Sequence, residues 1–163
     1  MKKIGLVTFH ESANYGTCLQ ALAVQTMTEQ FGNADAEIVR FERPNVVRRS
    51  KWAKVLSLLS LFNKEGFSQL LTVIFLRWKI RLRKGAFARF REKFFKYSGA
   101  KYTTIEQLAA DEHLYSAFVV GSDMVWAVDR AVPLEVFFLR FTAPEKRIAY
   151  APSIGSSTIR EDL

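Results

Sequence analysis

The sequence predicts an α/β fold in which a Rossmann-like parallel sheet carries inserted basic amphipathic helices. Three observations predict this class. The chain opens as strand, polar loop and helix, a second strand follows that helix, and the later apolar run Phe118–Val120 ends abruptly in small polar residues. With 163 residues, of which 49% are hydrophobic, the chain has the size of one domain with an ordinary core.

The first elements form a predicted β-α-β unit. Residues 3–9 have the composition of a strand, and the polar run from 10 to 16 is typical of a loop that leads into a helix. Gly32 and Asn33 supply a helix stop, and residues 37–42 form a second strand that ends before Pro44. We expect a right-handed connection between parallel strands. Apolar spacing predicts that the helix buries Leu19, Leu22, Ala23, Met27 and Phe31.

The middle of the chain carries all of the excess positive charge. The net charge is +8, but residues 46–98 hold fourteen Lys or Arg and two Glu, a balance of +12, so the remainder carries −4. Two apolar stripes predict two or three basic amphipathic helices inserted at about residues 46–98, with breaks at Gly66 and Gly85. One stripe comprises Trp52, Val55, Leu56, Leu59 and Phe62, and the other Phe87, Phe90, Phe94 and Phe95.

This basic segment has three interpretations. It is a solvated face over a core stripe, a nucleic-acid surface, or a surface for anionic lipid or a phosphorylated substrate. Alternating aromatic and basic residues at 87–91 suit RNA, but no RNP-type or helix-turn-helix pattern accompanies them, so we predict no nucleic-acid partner. Basic helices with Trp and Leu on the opposite face suit a membrane interface. Two interpretations of the segment are therefore kept: core packing and binding to an anionic membrane surface.

The later elements are predicted from shorter signals. Residues 103–106 have the spacing of a capping box that opens a helix through about Leu114. Residues 118–120, 136–141 and 147–151 are predicted strands, and the last of them runs into a Ser-rich turn. The chain stops at Leu163, before a helix after that turn could bury a face. We therefore expect part of a longer protein or a chain cut short.

Composition indicates the compartment. The single cysteine, Cys18, cannot form an internal disulfide, and the N-terminus lacks both the apolar core and the cleavage site of a signal peptide. No uncharged apolar run approaches the ~20 residues that span a bilayer, since Leu70–Leu76 is closed by Arg77. These features predict a cytoplasmic protein, peripheral at the inner membrane face if the basic helices dock there.

The loop before the first helix is one candidate site. It holds Asn14, Tyr15 and Gly16, and a helix N-terminus offers free N–H groups to an anion or a sugar hydroxyl. The alternative is a tight turn with a helix cap, across which Tyr15 packs. A nicotinamide dinucleotide site is not expected, because the three glycines of G-x-G-x-x-G are missing.

The second candidate site follows the strand at 118–120. Gly121 and Ser122 suit an anion cradle, Asp123 suits proton transfer, and the indole of Trp126 suits a wall of the site. The alternative is that Ser122 or Asp123 caps the next turn. A second Ser-rich turn, containing Ser153 and Gly155, also follows a strand and is expected to face the same crevice.

Other chemistry-bearing residues give weaker signals. Cys18 lies at a helix start, where the helix dipole favours a nucleophile, but no base adjoins it and packing is the commoner use. His10 and His113 belong to no spacing typical of a metal site, so we predict neither a metal nor a resident cofactor.

Four separated segments resemble the polysaccharide pyruvyl transferase family, in the same order along the chain. They extend from the first predicted strand nearly to the last residue, so the resemblance covers almost the whole chain but only the N-terminal half of a typical member. The segments are Lys3–His10 (KIGLVTFH), Asn14–Ala21 (NYGTCLQA), Gly121–Trp126 (GSDMVW) and Tyr150–Gly155 (YAPSIG).

The resemblance implies a pyruvyl (ketal) transferase of surface polysaccharide synthesis. Phosphoenolpyruvate would be the donor substrate, and two hydroxyls of a sugar or lipid-linked oligosaccharide would accept the pyruvyl group. Members look like two Rossmann-like domains of glycosyltransferase B type around a cleft. The loop at 14–16 and the turn at 121–123 would line this half's wall, with Asp123 as candidate base and Trp126, Ser153 and Gly155 beside it.

The chain departs from the family pattern in two ways. Met124 replaces the usual Gln, and Ala127 replaces the Asn after the Trp. The second half, whose Arg and His residues would handle phosphoenolpyruvate, is missing, so this chain alone is expected to be inactive. The basic helices would dock on the anionic inner leaflet and hold the diphosphate of a lipid-linked acceptor. A non-catalytic sugar-binding or membrane-docking module, or a truncated remnant, is the alternative.

Overall fold

Five parallel strands form one sheet in a computed structural model that describes residues 2–42, 66–127 and 134–155. Their order in space is β3-β2-β1-β4-β5, which is that of a Rossmann-like α/β fold. The fold class predicted from the sequence is confirmed. In chain order the strands are β1 (Lys2–Val7), β2 (Ala34–Phe41), β3 (Tyr97–Tyr102), β4 (Ala117–Val120) and β5 (Arg147–Ala149).

Four α-helices and two 3₁₀ turns connect these strands in the described ranges. The two long helices follow β1 and precede β3, and the short elements lie on either side of β4. In chain order they are α1 (Tyr15–Gly32), α2 (Gly66–Phe94), α3 (Ile105–Ala110), a 3₁₀ turn (Glu112–Leu114), α4 (Leu134–Phe137) and a second 3₁₀ turn (Pro144–Lys146).

The sheet buries a different apolar cluster on each face. One face packs under α1 and α2, where Leu6, Ile38 and Val119 meet Ala21 and Phe87. The other face packs under α3 and α4. Its buried members are Val7, Val39, Tyr102, Leu108, Tyr115, Phe118, Val120, Val125, Val136, Phe137, Leu139 and Phe141. Because helices cover both faces of the sheet, its strands contain continuous apolar runs rather than alternating apolar and polar residues.

The strand order reverses beside β1. The chain leaves β1 for β2 on one side, and β4 pairs with β1 on the other, so Leu6 faces both Ile38 and Val119 in register. In open α/β sheets, ligands bind at such a switch point, outside the carboxyl ends of the strands. The loops after β1 and β4 therefore meet where a site is expected.

The predicted apolar face of α1 is wrong. The helix buries Cys18, Ala21, Val24 and Gln25, whereas Leu19 is 58% exposed and Phe31 is 82% exposed. The buried Gln25 amide donates to the carbonyl of Phe94 and accepts from the N–H of Lys96, which joins α1 to the end of α2. Gln25 is thus buried although it is polar and does not belong to the predicted apolar face. The predicted stop is confirmed, because Asn33 closes the helix in the left-handed region (φ 43°).

The strand predicted at 136–141 is also wrong. These residues form the end of α4 and a tight turn, in which Leu139 has φ 54°. Val136, Phe137, Leu139 and Phe141 are all buried in one cluster, because the compact turn directs them to the same face of the sheet. A short apolar run does not distinguish this arrangement from a strand. The strand at 118–120 is confirmed, and the strand predicted at 147–151 ends at Ala149. The capping box predicted at 103–106 forms one residue later, from Thr104 to Gln107, and its helix ends at Ala110 rather than near Leu114.

The described part of the basic segment is one helix rather than several. α2 runs unbroken through Gly85, so the predicted break there is wrong, and Gly66 begins the helix. Residues 97–102, which the sequence did not predict as a strand, form β3 at the edge of the sheet. The stripe from Trp52 to Phe62 lies outside the described residues. None of the helices described is long and apolar enough to cross a bilayer.

Candidate functional site

A cleft of about 700 Å³ opens at the carboxyl end of the sheet, between the ends of β1 and β4. Its wall combines the β1–α1 loop, the start of α1, the turn after β4 and the end of β2. The polar residues that line it are Thr8, His10, Glu11, Ser12, Asn14, Thr17, Gln20, Ser122 and Asp123. The cleft lies at the switch point of the sheet, as the topology predicts.

The end of β1 places two buried polar side chains in this wall. Thr8 is 5% exposed and His10 is 8% exposed. The imidazole Nδ1 lies 3.0 Å from the Thr8 carbonyl oxygen, and the ring meets Tyr97 edge-on at 5.6 Å between centroids. Burial lowers the pKa of His10 below its ordinary value. The ring is therefore fixed in position, and its neutral form is favoured.

The start of α1 is a capped helix. The Asn14 side-chain oxygen accepts hydrogen bonds from the N–H groups of Gly16 (2.8 Å) and Thr17 (3.4 Å). Tyr15 is 70% exposed, and its ring packs on Phe87 at 4.8 Å. The helix-cap interpretation of this loop is thus correct for Asn14 and Tyr15. Asn14 and Gly16 nevertheless line the cleft, whereas Tyr15 lies outside it.

Two arginines of α2 bind the β1–α1 loop from behind. Arg83 donates to the carbonyl of Ala13 at 2.8 Å, and Arg91 donates to the carbonyl of Ser12 at 3.4 Å. Cys18 is buried under the same loop, with its thiol 3.5 Å from the Ser12 carbonyl oxygen. Cys18 therefore packs, and the basic helix helps to set the conformation of the loop.

The turn after β4 is braced by Gln20 of α1. Its side-chain oxygen accepts from the Ser122 hydroxyl at 3.3 Å and from the Asp123 N–H at 3.2 Å. Ser122 is buried, and Asp123 is exposed at the mouth of the cleft. The turn is thus positioned against the helix start by Gln20, which lies in the resembling segment at 14–21 but receives no role from the sequence patterns.

The second Ser-rich turn contacts the first, but neither Ser153 nor Gly155 is in the lining of the cleft. The Ser153 hydroxyl accepts from the Met124 N–H and donates to the Asp123 carboxylate, both at 2.7 Å. Gly155 has φ 67°, and a Cβ there would lie 2.7 Å from the Met124 Cγ. Met124 itself has φ 54°, a left-handed conformation that costs a side-chain-bearing residue roughly 1–2 kcal/mol. The two turns therefore depend on each other for their shape.

Gly121 permits close approach rather than ligand contact. A Cβ at this position would lie 2.8 Å from the carbonyl oxygen of Tyr150, the residue that follows β5. The Tyr150 N–H in turn donates to the carbonyl of Val120 at 2.8 Å. The glycine thus lets the ends of β4 and β5 pack together, and this contact sets the spacing between the two turns.

Trp126 packs against α4 rather than walling the cleft. Its indole N–H donates to the carbonyl of Phe137 at 3.0 Å, and its ring stacks on Phe138 at 5.4 Å between centroids. Phe137 does line the cleft. Trp126 therefore supports the lining from behind, which satisfies its N–H without solvent or ligand.

The described lining of the cleft contains carboxylates but no Lys or Arg side chain. Glu11 and Asp123 are both exposed there. Such a wall suits a ligand rich in hydroxyl donors better than a phosphate or a carboxylate, which needs positive charge beside it. Within the described ranges, no three His, Cys, Asp or Glu side chains are grouped to hold a metal ion.

The sequence missed three residues of this wall: Thr8, His10 and Gln20. The apolar pattern assigns Thr8 to the first strand, His10 has no metal-site spacing, and Gln20 contacts the turn after β4 across 102 residues of sequence. The available signal is that all three lie in segments that resemble the family, at 3–10 and 14–21.

No model of a known protein family, no curated protein and no solved structure matches the chain.

Proposed function

We propose that this chain forms the acceptor-binding wall of a pyruvyl transferase that converts two sugar hydroxyls into a cyclic ketal. The observation that carries this proposal is the lining of the switch-point cleft. Hydroxyls, two amides, an imidazole and the Asp123 carboxylate come together there from three of the four segments that resemble the family in sequence, and Glu11 adds a second carboxylate from the loop between two of them. These groups are the usual partners of neutral sugar hydroxyls.

The charge of the cleft wall indicates which of the two substrates it binds. Phosphoenolpyruvate carries a phosphate and a carboxylate, and the described lining offers neither Lys nor Arg to bind them. The sugar is neutral, and its hydroxyls can donate to Asp123 and Glu11. We therefore assign the acceptor to this wall and the donor to cationic groups outside it, which the family resemblance attributes to a second domain.

The chemistry balances as follows. The methylene carbon of phosphoenolpyruvate gains a proton, which leaves C2 electron-poor. Two sugar oxygens bond to C2, and the bond from C2 to the phosphate oxygen breaks. The two hydroxyls lose two protons in total. One is balanced by the proton gained at the methyl carbon, and the other leaves on phosphate.

Asp123 is the proposed base for one of these hydroxyls. Its carboxylate lies at the mouth of the cleft and is oriented by the Ser153 hydroxyl at 2.7 Å. One carboxylate oxygen is used by that hydrogen bond, so the other oxygen is the one that a sugar hydroxyl would meet. A positioned carboxylate that accepts a proton in the transition state contributes roughly 10²–10⁴-fold.

Replacement of Asp123 by Asn tests this assignment. Asn keeps an oxygen that accepts from Ser153, so the turn should persist while the charge is lost. In the complete protein encoded by the natural reading frame, we expect acceptor-dependent phosphate release to fall roughly 10²–10⁴-fold in Asp123→Asn. Asp35→Asn, at the opposite end of the sheet, is the matched control and should keep wild-type activity. Full activity in Asp123→Asn would contradict the role of Asp123.

A second candidate function is docking on an anionic membrane through α2, and a specific observation favours it. Six large apolar side chains between residues 74 and 82 are each more than half exposed. They are Ile74, Phe75, Leu76, Trp78, Ile80 and Leu82. Single exposed apolar residues are ordinary, but an apolar group on one face marks an interaction surface, and all of these except Leu76 and Ile80 lie on one face of α2.

The charges interleaved with these residues indicate an anionic partner. Arg77, Lys79, Arg81, Arg83 and Lys84 fall within the same three turns, and α2 contains no acidic residue before Glu92. A helix with 3.6 residues per turn places Ile74, Phe75, Trp78 and Leu82 within about 100° of one another, flanked by Lys79 and Arg81. Apolar insertion between basic flanks fits an anionic lipid surface, where each basic residue contributes ~1 kcal/mol.

Vesicle sedimentation separates this candidate from the alternatives. We expect the protein to bind phosphatidylglycerol vesicles but not phosphatidylcholine vesicles. This binding should weaken as the salt concentration rises. Neutralising Arg77 and Arg81 to Gln should weaken binding by roughly 30-fold, from ~1 kcal/mol each. Lys2→Gln, at the far end of the sheet, is the control. Binding that ignores salt, or self-association that precludes vesicle binding, would contradict this docking.

A further inference from the structure

We infer that the Nε2 atom of His10 accepts the proton of an acceptor hydroxyl in the switch-point cleft, an inference that rests on the proposed function. His10 is placed there by the end of β1 and lines the cleft together with Asp123. The sequence gives this histidine no role, and Asp123 alone provides one base for a reaction that deprotonates two hydroxyls. Three independent observations support the assignment.

The first observation is the tautomer. Nδ1 of His10 lies 3.0 Å from the carbonyl oxygen of Thr8. A carbonyl oxygen can only accept a hydrogen bond, so Nδ1 carries the proton and donates it. In the neutral ring Nε2 then has a free lone pair and is the basic nitrogen. The hydrogen bond thus turns the basic edge of the ring away from the backbone.

The second observation is an unpartnered hydroxyl on Thr8, two residues before His10 and in the same wall of the cleft. Thr8 is 5% exposed and lines the cleft, and its Oγ1 is buried with no hydrogen-bonding partner among the described residues. A buried hydroxyl left without a partner costs roughly 1–3 kcal/mol. A sugar hydroxyl that donates to His10 Nε2 and lies near Thr8 would supply that missing partner.

The third observation is that the groups around the imidazole ring hold it in position and favour its neutral form. Tyr97 contacts the imidazole edge-on from β3. The charged groups that act on it are Glu11 in its own loop, Arg40 in β2 and Arg91 in α2. Burial is the largest influence and lowers the pKa of His10, and the two arginines act in the same direction, whereas the Thr8 carbonyl and Glu11 oppose them. The neutral, proton-accepting form is thus favoured near neutral pH.

The step that follows is balanced in protons. As one sugar oxygen bonds to C2 of phosphoenolpyruvate, its proton moves to Nε2 and His10 becomes an imidazolium. The bond from C2 to the phosphate oxygen breaks, and the imidazolium returns its proton to the departing phosphate. The ring is neutral again at the end. The proton of the second hydroxyl moves to Asp123, which releases it to solvent, while the methylene carbon of phosphoenolpyruvate takes up one proton from solvent. The two protons lost by the sugar thus equal the one gained at the methyl carbon and the one that leaves on phosphate.

Nitrogen NMR of the complete protein, with ¹⁵N-labelled histidine, tests the binding part of this inference without any turnover. The His10 signals are identified by their loss in His10→Asn. We expect a protonated Nδ1 and an unprotonated Nε2, and we expect the Nε2 resonance to move when methyl galactoside, methyl glucoside or methyl mannoside binds. An unprotonated Nδ1 would overturn the inference.

The kinetic part uses the same variant. In His10→Asn the side-chain amide can still donate to the Thr8 carbonyl, but no basic nitrogen remains. We expect kcat for acceptor-dependent phosphate release to fall roughly 10²–10⁴-fold with little change in KM. A variant with wild-type kcat, or one in which only KM changes, would overturn the role of His10.

The two failures are distinguishable. If the glycosides shift the amides of Asn14 and Asp123 but not His10 Nε2, the inference fails and the proposed acceptor wall stands. If no glycoside shifts any cleft resonance and no acceptor stimulates phosphate release, the proposed function fails and this inference fails with it.

Discussion

The Ser153 hydroxyl joins the turn after β5 to the turn after β4, because it donates to the Asp123 carboxylate and accepts from the Met124 N–H, both at 2.7 Å. One side chain thus fixes both the proposed base and the strained backbone beside it. The two segments are thirty residues apart in sequence and share the edge of one sheet. The turn after β4, which lines the cleft, is therefore held in place by the turn after β5.

Removing this hydroxyl should loosen the turn. We expect Ser153→Ala to lower the free energy of unfolding by about 1 kcal/mol, because the pair is exposed and its charge-assisted hydrogen bond is partly screened. Urea denaturation measures the change, and the Met124 amide resonance should move. Ser153→Thr keeps the hydroxyl and serves as the control. An alanine variant with unchanged stability and an unchanged Met124 resonance would show that the hydrogen bond does not hold the turn.

Gly121 should resist substitution for a steric reason. A Cβ at this position meets the Tyr150 carbonyl oxygen at 2.8 Å, and backbone cannot rotate away as a side chain can. We expect Gly121→Ala to destabilise the fold by about 1–3 kcal/mol. Gly99→Ala is the matched control, because nothing lies within 4 Å of a Cβ there. Equal stability of the two variants in urea denaturation would contradict the close approach of β4 and β5.

The buried amide of Gln25 should be the costliest polar group of α1 to remove. Gln25→Met keeps the volume but leaves the Phe94 carbonyl and the Lys96 N–H without their partner. We expect a loss of about 2–6 kcal/mol, since each of the two unsatisfied groups costs about 1–3 kcal/mol. Gln30→Met, at an exposed position of the same helix, should change stability little. A similar small loss for both variants in thermal unfolding would refute this role.

Acid should weaken the fold partly through His10. Burial lowers the pKa of His10 from its ordinary 6.5, so the unfolded chain takes up the proton at a higher pH than the folded chain does. The free energy of unfolding should therefore decrease as the pH falls below 6.5, over the interval down to the lowered pKa. His10→Asn should flatten the stability profile in that interval. Identical wild-type and variant profiles in denaturant titrations at several pH values would argue against a buried neutral ring.

The sequence predicted the parts of the fold that local signals encode. The β-α-β opening, the stop at Asn33, a capping box within one residue of its predicted place and the strand before Gly121 each follow from turn chemistry or apolar runs. The errors occur where tertiary contacts override local spacing. Gln25 is buried because its amide forms hydrogen bonds with the backbone of Phe94 and Lys96. The run at 136–141 forms a turn rather than a strand because one cluster buries four of its side chains.

The sequence predicted only part of the candidate site, because local signals mark the strand ends but not the contacts across the sheet. Asn14, Gly16, Ser122 and Asp123 follow strands whose carboxyl ends share one edge, and the structure brings them together around the cleft. Gln20 and His10 were missed, because their roles depend on distances across the sheet that no spacing rule contains. Tyr15 and Trp126 lie beside the cleft, where neighbouring aromatic rings already occupy them.

Carbon NMR of the product tests the proposed function most directly. The complete protein is incubated with phosphoenolpyruvate labelled with ¹³C at C2 and a lipid-linked oligosaccharide, and the fate of the label is followed together with phosphate. We predict that one ketal carbon appears in the glycan for each phosphate released. Phosphate release that yields only labelled pyruvate, or no phosphate release with any acceptor offered, would contradict pyruvyl transfer to a sugar.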